Sequence, residues 1–235
     1  MDKFDKYLPV IKKFDPDYQF SWQISTDIIE DQIAQKPYLL DIGARDNIRL
    51  KIHHQAAFGV GLDLETEGEV YTDDHNCFCK GSTYQIPFQA NSFDFVTSRF
   101  TFEHLEYPDQ ALIEIARVMK PGGICLLETT NKNNPLLIAA GLIPFFIKKI
   151  IIKKIFKENP SGTYKTYYKI NTPQAFNHIA AGIKNLKLEQ LYVVNDVICE
   201  SKILFTISFG LYKLIKLLSL KSLYGNILAV LRKID

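Results

Sequence analysis

The chain is poor in the features that would place it outside the ordinary globular proteins. Four cysteines in 235 residues are too few for a disulfide framework in a chain of this length. His75, Cys77 and Cys79 lie close together, but no second pair stands at ligand spacing elsewhere, so the cysteines read as reduced structural residues and no metal is expected. No uncharged apolar run reaches the roughly 18 residues that a spanning helix needs; the longest, 135–147, is interrupted by Gly141 and Pro144. The opening Met-Asp-Lys-Phe-Asp-Lys lacks an apolar signal core, which makes the cytoplasm the expected compartment. Neither sign of charge dominates: a net charge of +2 gives no case for nucleic acid. Repeats and low-complexity segments are absent. Glycine is scarce where it would matter most, because the turn Asp41-Ile-Gly-Ala-Arg-Asp-Asn47 holds only Gly43.

What remains is a chain that is 47% hydrophobic and 23% charged, able to bury a sizeable core. Residues 1–36 read as a helical segment rich in aromatics, with a helix from 25 to 35. Short apolar strands and amphipathic helices then alternate: strands at 38–42, 58–63, 77–80, 93–98 and 124–130, a helix at 47–57, and a helix at 109–120 with Leu112, Ile115, Ala116 and Met119 on one face. Such alternation predicts a mostly parallel sheet with helices on both faces. The pattern breaks over 132–170, which is aliphatic and basic. It resumes with a helix opened by Thr172 and Pro173, a sixth strand at 186–194, a helix at 203–220 and a last strand at 225–233.

In an open α/β sheet, ligands sit outside the carboxyl ends of the strands. Asp41 and Gly43 close the first strand, and Asp63 closes the second about 20 residues on, where an acid can accept both hydroxyls of a ribose. Each signal alone is weak. Their joint position points to a nucleoside-like ligand.

Two longer stretches carry a family resemblance. "GSTYQIPFQANSFDFVTSRFTFEHL" (81–105) and "ALIEIARVMKPGGICLLETTN" (111–131) resemble class I S-adenosylmethionine-dependent methyltransferases, in the type 11, small-molecule branch. The resemblance covers 38–131 and is weak over 171–234. It implies a Rossmann-like three-layer sandwich whose seven-stranded, mostly parallel sheet has its last strand antiparallel, with a helical cap inserted. The cofactor core is then 37–131, the cap 132–170, and the C-terminal part of the sheet 171–235. The resemblance further implies that Asp41 and Gly43 hold the methionine end of S-adenosylmethionine, that Asp63 grips the ribose, and that Ser82 and Thr83 meet the adenine. Phe100 to His104 would face the methyl group. Three positions depart from the family's pattern: Arg45 and Asn47 replace turn glycines, and Ser82 replaces an aspartate. Asn47 tolerates the turn's left-handed backbone, and the Arg45 guanidinium can pair with the cofactor's carboxylate.

Methyl transfer is an in-line displacement for which the protein aligns donor and acceptor and excludes water. A hydroxyl acceptor also needs a base. His104 is the first choice and Glu103 the second, against the reading that this pair only orders the next helix. The expected acceptor is a small molecule, glycan or lipid-linked compound methylated at oxygen. The alternative is an inactive binding or scaffold protein on the same fold. Lys148, Lys149, Lys153 and Lys154 within the cap, and the stripe Leu211, Leu214, Ile215 and Leu218 flanked by Lys213, Lys216 and Lys221, suit either a solvated cap or peripheral contact with an anionic membrane. Oligomeric state stays open.

Overall fold

The computed structural model describes residues 3–44, 55–64, 76–143 and 165–235. Among these, seven strands form one sheet in the order β3-β2-β1-β4-β5-β7-β6. The strands are β1 (Tyr38–Ile42), β2 (Phe58–Asp63), β3 (Asn76–Lys80), β4 (Phe93–Arg99), β5 (Met119–Thr130), β6 (Leu186–Val194) and β7 (Asn226–Lys233). β1 to β5 pair in parallel, and β7 runs antiparallel to both β5 and β6. The strand order reverses between β1 and β4, so the two connections leave in opposite directions and open a crevice at their carboxyl ends.

Helices cover both faces. α3 (Pro108–Val118) starts on a proline in its first turn and turns Ala111, Leu112, Ile115 and Ala116 into the main core beside Leu40, Ile42, Val96 and Leu127. α5 (Pro173–Ala181) is capped by the Thr172 hydroxyl, which accepts from Ala175 N, and adds Phe176 and Ala180 to the same core. On the opposite face α2 (Ser21–Ile33) packs Ile29 and Ile33 against Leu39, Phe95, Leu126 and Val230. The three-layer sandwich expected from the sequence is therefore present.

Several boundaries moved, each for a tertiary reason. α2 begins at Ser21 instead of Ser25, because the Asp196 carboxylate, from the loop after β6, accepts the Ser21 N–H at 2.7 Å and its hydroxyl at 2.6 Å. An acid at a helix N-terminus satisfies an orphan donor and favours the dipole. The helix expected to reach Lys120 ends at Val118, since Met119 already pairs with Phe93. Residues 120–123 then bulge out around Gly122, and pairing resumes at Phe95 with Ile124. The helix expected at 47–57 falls mostly outside the described residues.

A third core joins the two ends of the chain. α1 (Lys3–Phe14) and α6 (Lys202–Leu217) pack Tyr7, Ile11, Tyr18, Phe20, Phe205, Phe209, Tyr212 and Ile215 together. Of the apolar stripe read on α6, only Ile215 is buried. The packed face runs through Phe205, Ser208, Phe209, Tyr212 and Ile215, while Leu214 and Leu218 are more than half exposed. Aromatic residues supplied by α1 decide which side of this all-round apolar helix is buried: Tyr7 stacks on Phe205 at 4.1 Å, and Phe14 meets Phe209 and Tyr212 edge-on.

Candidate active site

Three of the expected cofactor residues arrive together at the carboxyl edge around the β1/β4 crevice. Asp41 is buried near the end of β1 and pairs in register with Gly61 and Thr97. Gly43 follows at φ +76°, the left-handed region, and its N–H donates to Leu62 O at 2.8 Å. A methyl group there would stand 1.9 Å from the Thr101 hydroxyl, so glycine is required twice, for the backbone angle and for the approach of the loop after β4. Asp63, half-buried, ends β2 on the adjacent strand. Arg45 and Asn47 lie outside the described residues.

Beyond β3, the Ser82 hydroxyl accepts from Tyr84 N at 3.2 Å, and Thr83 is buried behind it. The serine thus helps to build its own turn. After β4, Phe100 sits at φ +52°, an uncommon conformation for a bulky residue, and is 42% exposed. The bond from Phe100 N to Glu128 O holds that turn. Strain of this kind persists where the surroundings impose it, and it collects at functional sites.

Glu103 and His104 form a single 3-10 turn, and the structure separates their roles. The Glu103 carboxylate is buried; it accepts from the Thr129 hydroxyl at 2.7 Å and from Thr130 at 3.5 Å. Burial pushes its pKa up, and the threonine hydrogen bonds offset only part of that. Asn171 completes the knot, donating to the Thr129 hydroxyl and to Thr130 O, both at 2.7 Å. Glu103 O also accepts Tyr167 N and Tyr168 N, which ties the returning chain across the ends of β4 and β5. His104 Nδ1 lies 2.9 Å from Lys165 O. A carbonyl can only accept, so Nδ1 carries a proton, and in the neutral form of the ring the lone pair is on Nε2.

Sequence reasoning missed Thr129 and Asn171, and read Thr101 only as part of the stretch 100–104. The one available signal was position, since all three sit at or just beyond strand or segment ends, next to motifs already singled out. Arg99 and Glu128 were missed too. They face each other in register across β4 and β5 and pair at 2.7 Å, with the Glu128 side chain wholly buried. Among the described residues no group of three or more His, Cys, Asp or Glu could hold a metal ion.

A crevice at the β1/β4 reversal, an acid ending each of two adjacent strands, a left-handed glycine turn and an antiparallel β7 define the class I methyltransferase fold. Residues 40–127 match the family described as "Methyltransferase domain", type 11. The cofactor that such domains carry is S-adenosylmethionine. Among curated relatives, the mitochondrial 2-methoxy-6-polyprenyl-1,4-benzoquinol methylase of Bos taurus is 47% identical over 88 residues, covering 37% of this chain and 26% of its own. The ubiquinone/menaquinone biosynthesis C-methyltransferase of Burkholderia orbicola is 37% identical over 112 residues, covering 47% and 44%. The chain therefore spans under half the length of these relatives. Among solved structures, geranyl diphosphate C-methyltransferase from Streptomyces coelicolor superposes with a TM-score of 0.54 at 13% identity, covering 84% of this chain and 71% of that one. The [4+2]-cyclase SpnF superposes equally well, with a TM-score of 0.53 at 17% identity over 92% and 84%. Likeness at this level shows the fold alone, and a cyclase among the neighbours makes plain that fold does not dictate reaction.

Proposed function

We propose that this chain transfers a methyl group from S-adenosylmethionine to a hydroxyl-bearing small molecule, lipid-linked acceptors included. The observation that supports this best is the crevice itself, where Gly43 is pressed against Thr101 between Asp41 and Asp63. The residues suit the cofactor. A half-buried carboxylate at the end of β2 meets ribose hydroxyls, Ser82 and Thr83 offer polar contacts for an adenine, and the exposed Phe100 ring gives an apolar wall.

When bound, S-adenosylmethionine supplies an electrophilic methyl on a sulfonium, so the protein's work is alignment and proton removal. Asp63 would orient the cofactor by accepting hydrogen bonds from its ribose hydroxyls. Phe100 excludes water on the side of the crevice that β4 borders. His104, with its lone pair on Nε2, accepts the acceptor's proton. Glu103 is buried among threonines and acts as a positioning residue that holds the His104 turn against β5. A second reading, methylation at a carbon beside the hydroxyl, draws support from the C-methyltransferase names of the relatives; an aryloxide made by the same base is nucleophilic at either atom.

Calorimetric titration with S-adenosylmethionine tests cofactor binding. Asp63→Ala should weaken binding by roughly 1.5–3 kcal/mol, the loss of charged hydrogen bonds. An unchanged dissociation constant in a folded variant removes Asp63 from the site. No heat and no thermal shift with the unaltered protein would favour a scaffold that has lost turnover.

A further inference from the structure

α6 is apolar on the side that faces water as well as on the side that faces the protein. Its buried row is Phe205, Ser208, Phe209, Tyr212 and Ile215. Directly opposite, at alternating steps of four and three, stand Ile203, Ile207, Gly210, Leu214 and Leu217, which is the spacing of one helix face. Ile203 is 73% exposed and Leu217 74% exposed. A helix that is hydrophobic all round is normally buried, and contiguous apolar surface on a folded protein marks a binding face.

The charges beside this row say what it binds. Lys202 and Lys213 border it along one flank, and Lys221 follows in the turn after the helix, all three exposed. From Ser201 to Ile234 the chain contains no acidic residue. Asp15 approaches from α1, but it lies on the buried side and is taken up by Lys216 and Tyr212. A second exposed apolar helix leaves the same corner of the fold. α4 (Pro135–Leu142) buries none of its residues, and Leu142 is 83% exposed. Asn134, which caps α4, donates to Leu223 O in the turn after α6, and Asn131 donates to Ser222 O and Tyr224 O. These bonds fix both helices to the carboxyl edge of the sheet, since Asn226 opens β7 opposite Thr130.

We infer that the outward face of α6 docks this protein on an anionic lipid bilayer. The helix lies in the interface, its leucines and isoleucines in the acyl boundary and its lysines at the headgroups. No helix among the described residues is long and apolar enough to cross a membrane. This inference stands apart from methyl transfer, because it needs neither cofactor nor acceptor.

Flotation of the full chain with vesicles tests it, using phosphatidylcholine alone and phosphatidylcholine with phosphatidylglycerol, at low and high salt. The chain should float with the anionic vesicles and be released by salt. Leu214→Glu with Leu217→Glu should abolish flotation while leaving thermal unfolding and S-adenosylmethionine binding unchanged. Lys202→Gln, Lys213→Gln and Lys221→Gln together should weaken it on the order of a hundredfold. Ile113→Glu, at an exposed isoleucine of α3, should change nothing. Failure to bind anionic vesicles at low salt overturns the inference. So does a loss of folding stability in the glutamate pair, which would mean that the face is packed. A dimer that the same pair dissolves, without vesicle binding, assigns the face to a second copy and also overturns it.

Discussion

The crevice at the β1/β4 reversal and the aromatic cluster of α1 and α6 are both places where the chain is tightly held, yet they are held by different physics. At the crevice, geometry comes from backbone. Gly43 is left-handed, Phe100 is left-handed, and the loop after β4 fits only because position 43 has no side chain. In the aromatic cluster, geometry comes from side chains that join distant parts of the sequence. The Tyr18 hydroxyl donates to Asn195 O and accepts from Val197 N, and Tyr212 donates to Asp15. Backbone-defined sites leave short local marks in a sequence. Side-chain clusters of this kind leave almost none.

The sharpest way to break the comparison is Gly43→Ala. Left-handed backbone costs an alanine about 1–2 kcal/mol, and overpacking against Thr101 adds roughly 1–3 kcal/mol. The melting temperature and the cofactor affinity should both fall. Adding Thr101→Ala should recover the packing part and leave the backbone part, as thermal unfolding would resolve. Full recovery would mean that the turn carries no backbone strain.

Tyr18→Phe probes the other region. It strips a buried carbonyl and a buried N–H of their partner, a loss of about 2–4 kcal/mol. Thermal unfolding should report that loss while calorimetry shows an unchanged cofactor affinity. A parallel fall in affinity would erase the distinction between the two regions.

Stability against pH should separate them by sign. Burial alone would push Asp15 up, but its hydrogen bonds with Lys216 and Tyr212 outweigh burial and hold it below the usual carboxylate range. Its contribution is therefore in place above its unfolded pKa of about 3.9 and is lost as pH falls through the lower folded value. Glu103 is shifted the other way, chiefly by burial. Its contribution is full below an unfolded pKa of about 4.3 and is lost as pH rises through the raised folded value. In urea unfolding across a pH series, Asp15→Asn should flatten the acid limb. Glu103→Gln should flatten the opposite slope and leave the acid limb alone. The same slopes in both variants would refute the assignment.

Ser82→Ala is the mildest test. With one lone pair already spent on Tyr84 N, the hydroxyl should contribute about 0.5–1.5 kcal/mol to cofactor affinity and little to folding. A larger effect would make the turn after β3 as demanding as the one at Gly43.

The amino-acid sequence by itself determined the alternation of strands and helices, the placement of Asp41, Gly43, Asp63 and Ser82 at strand ends, and the type of domain over 38–131. It could do so because strand length, helical periodicity and turn chemistry are local properties, written within a few residues of where they act. Tertiary structure alone decided the start of α2, which Asp196 sets from 175 residues away, and the buried side of α6, which α1 chooses. It also decided that Glu103 lies among Thr129, Thr130 and Asn171, and that His104 Nδ1 rests against Lys165 O. Each of these depends on a partner distant in the chain. A helix apolar on every side presents several faces of equal merit, and only the surface that comes to rest against it selects one.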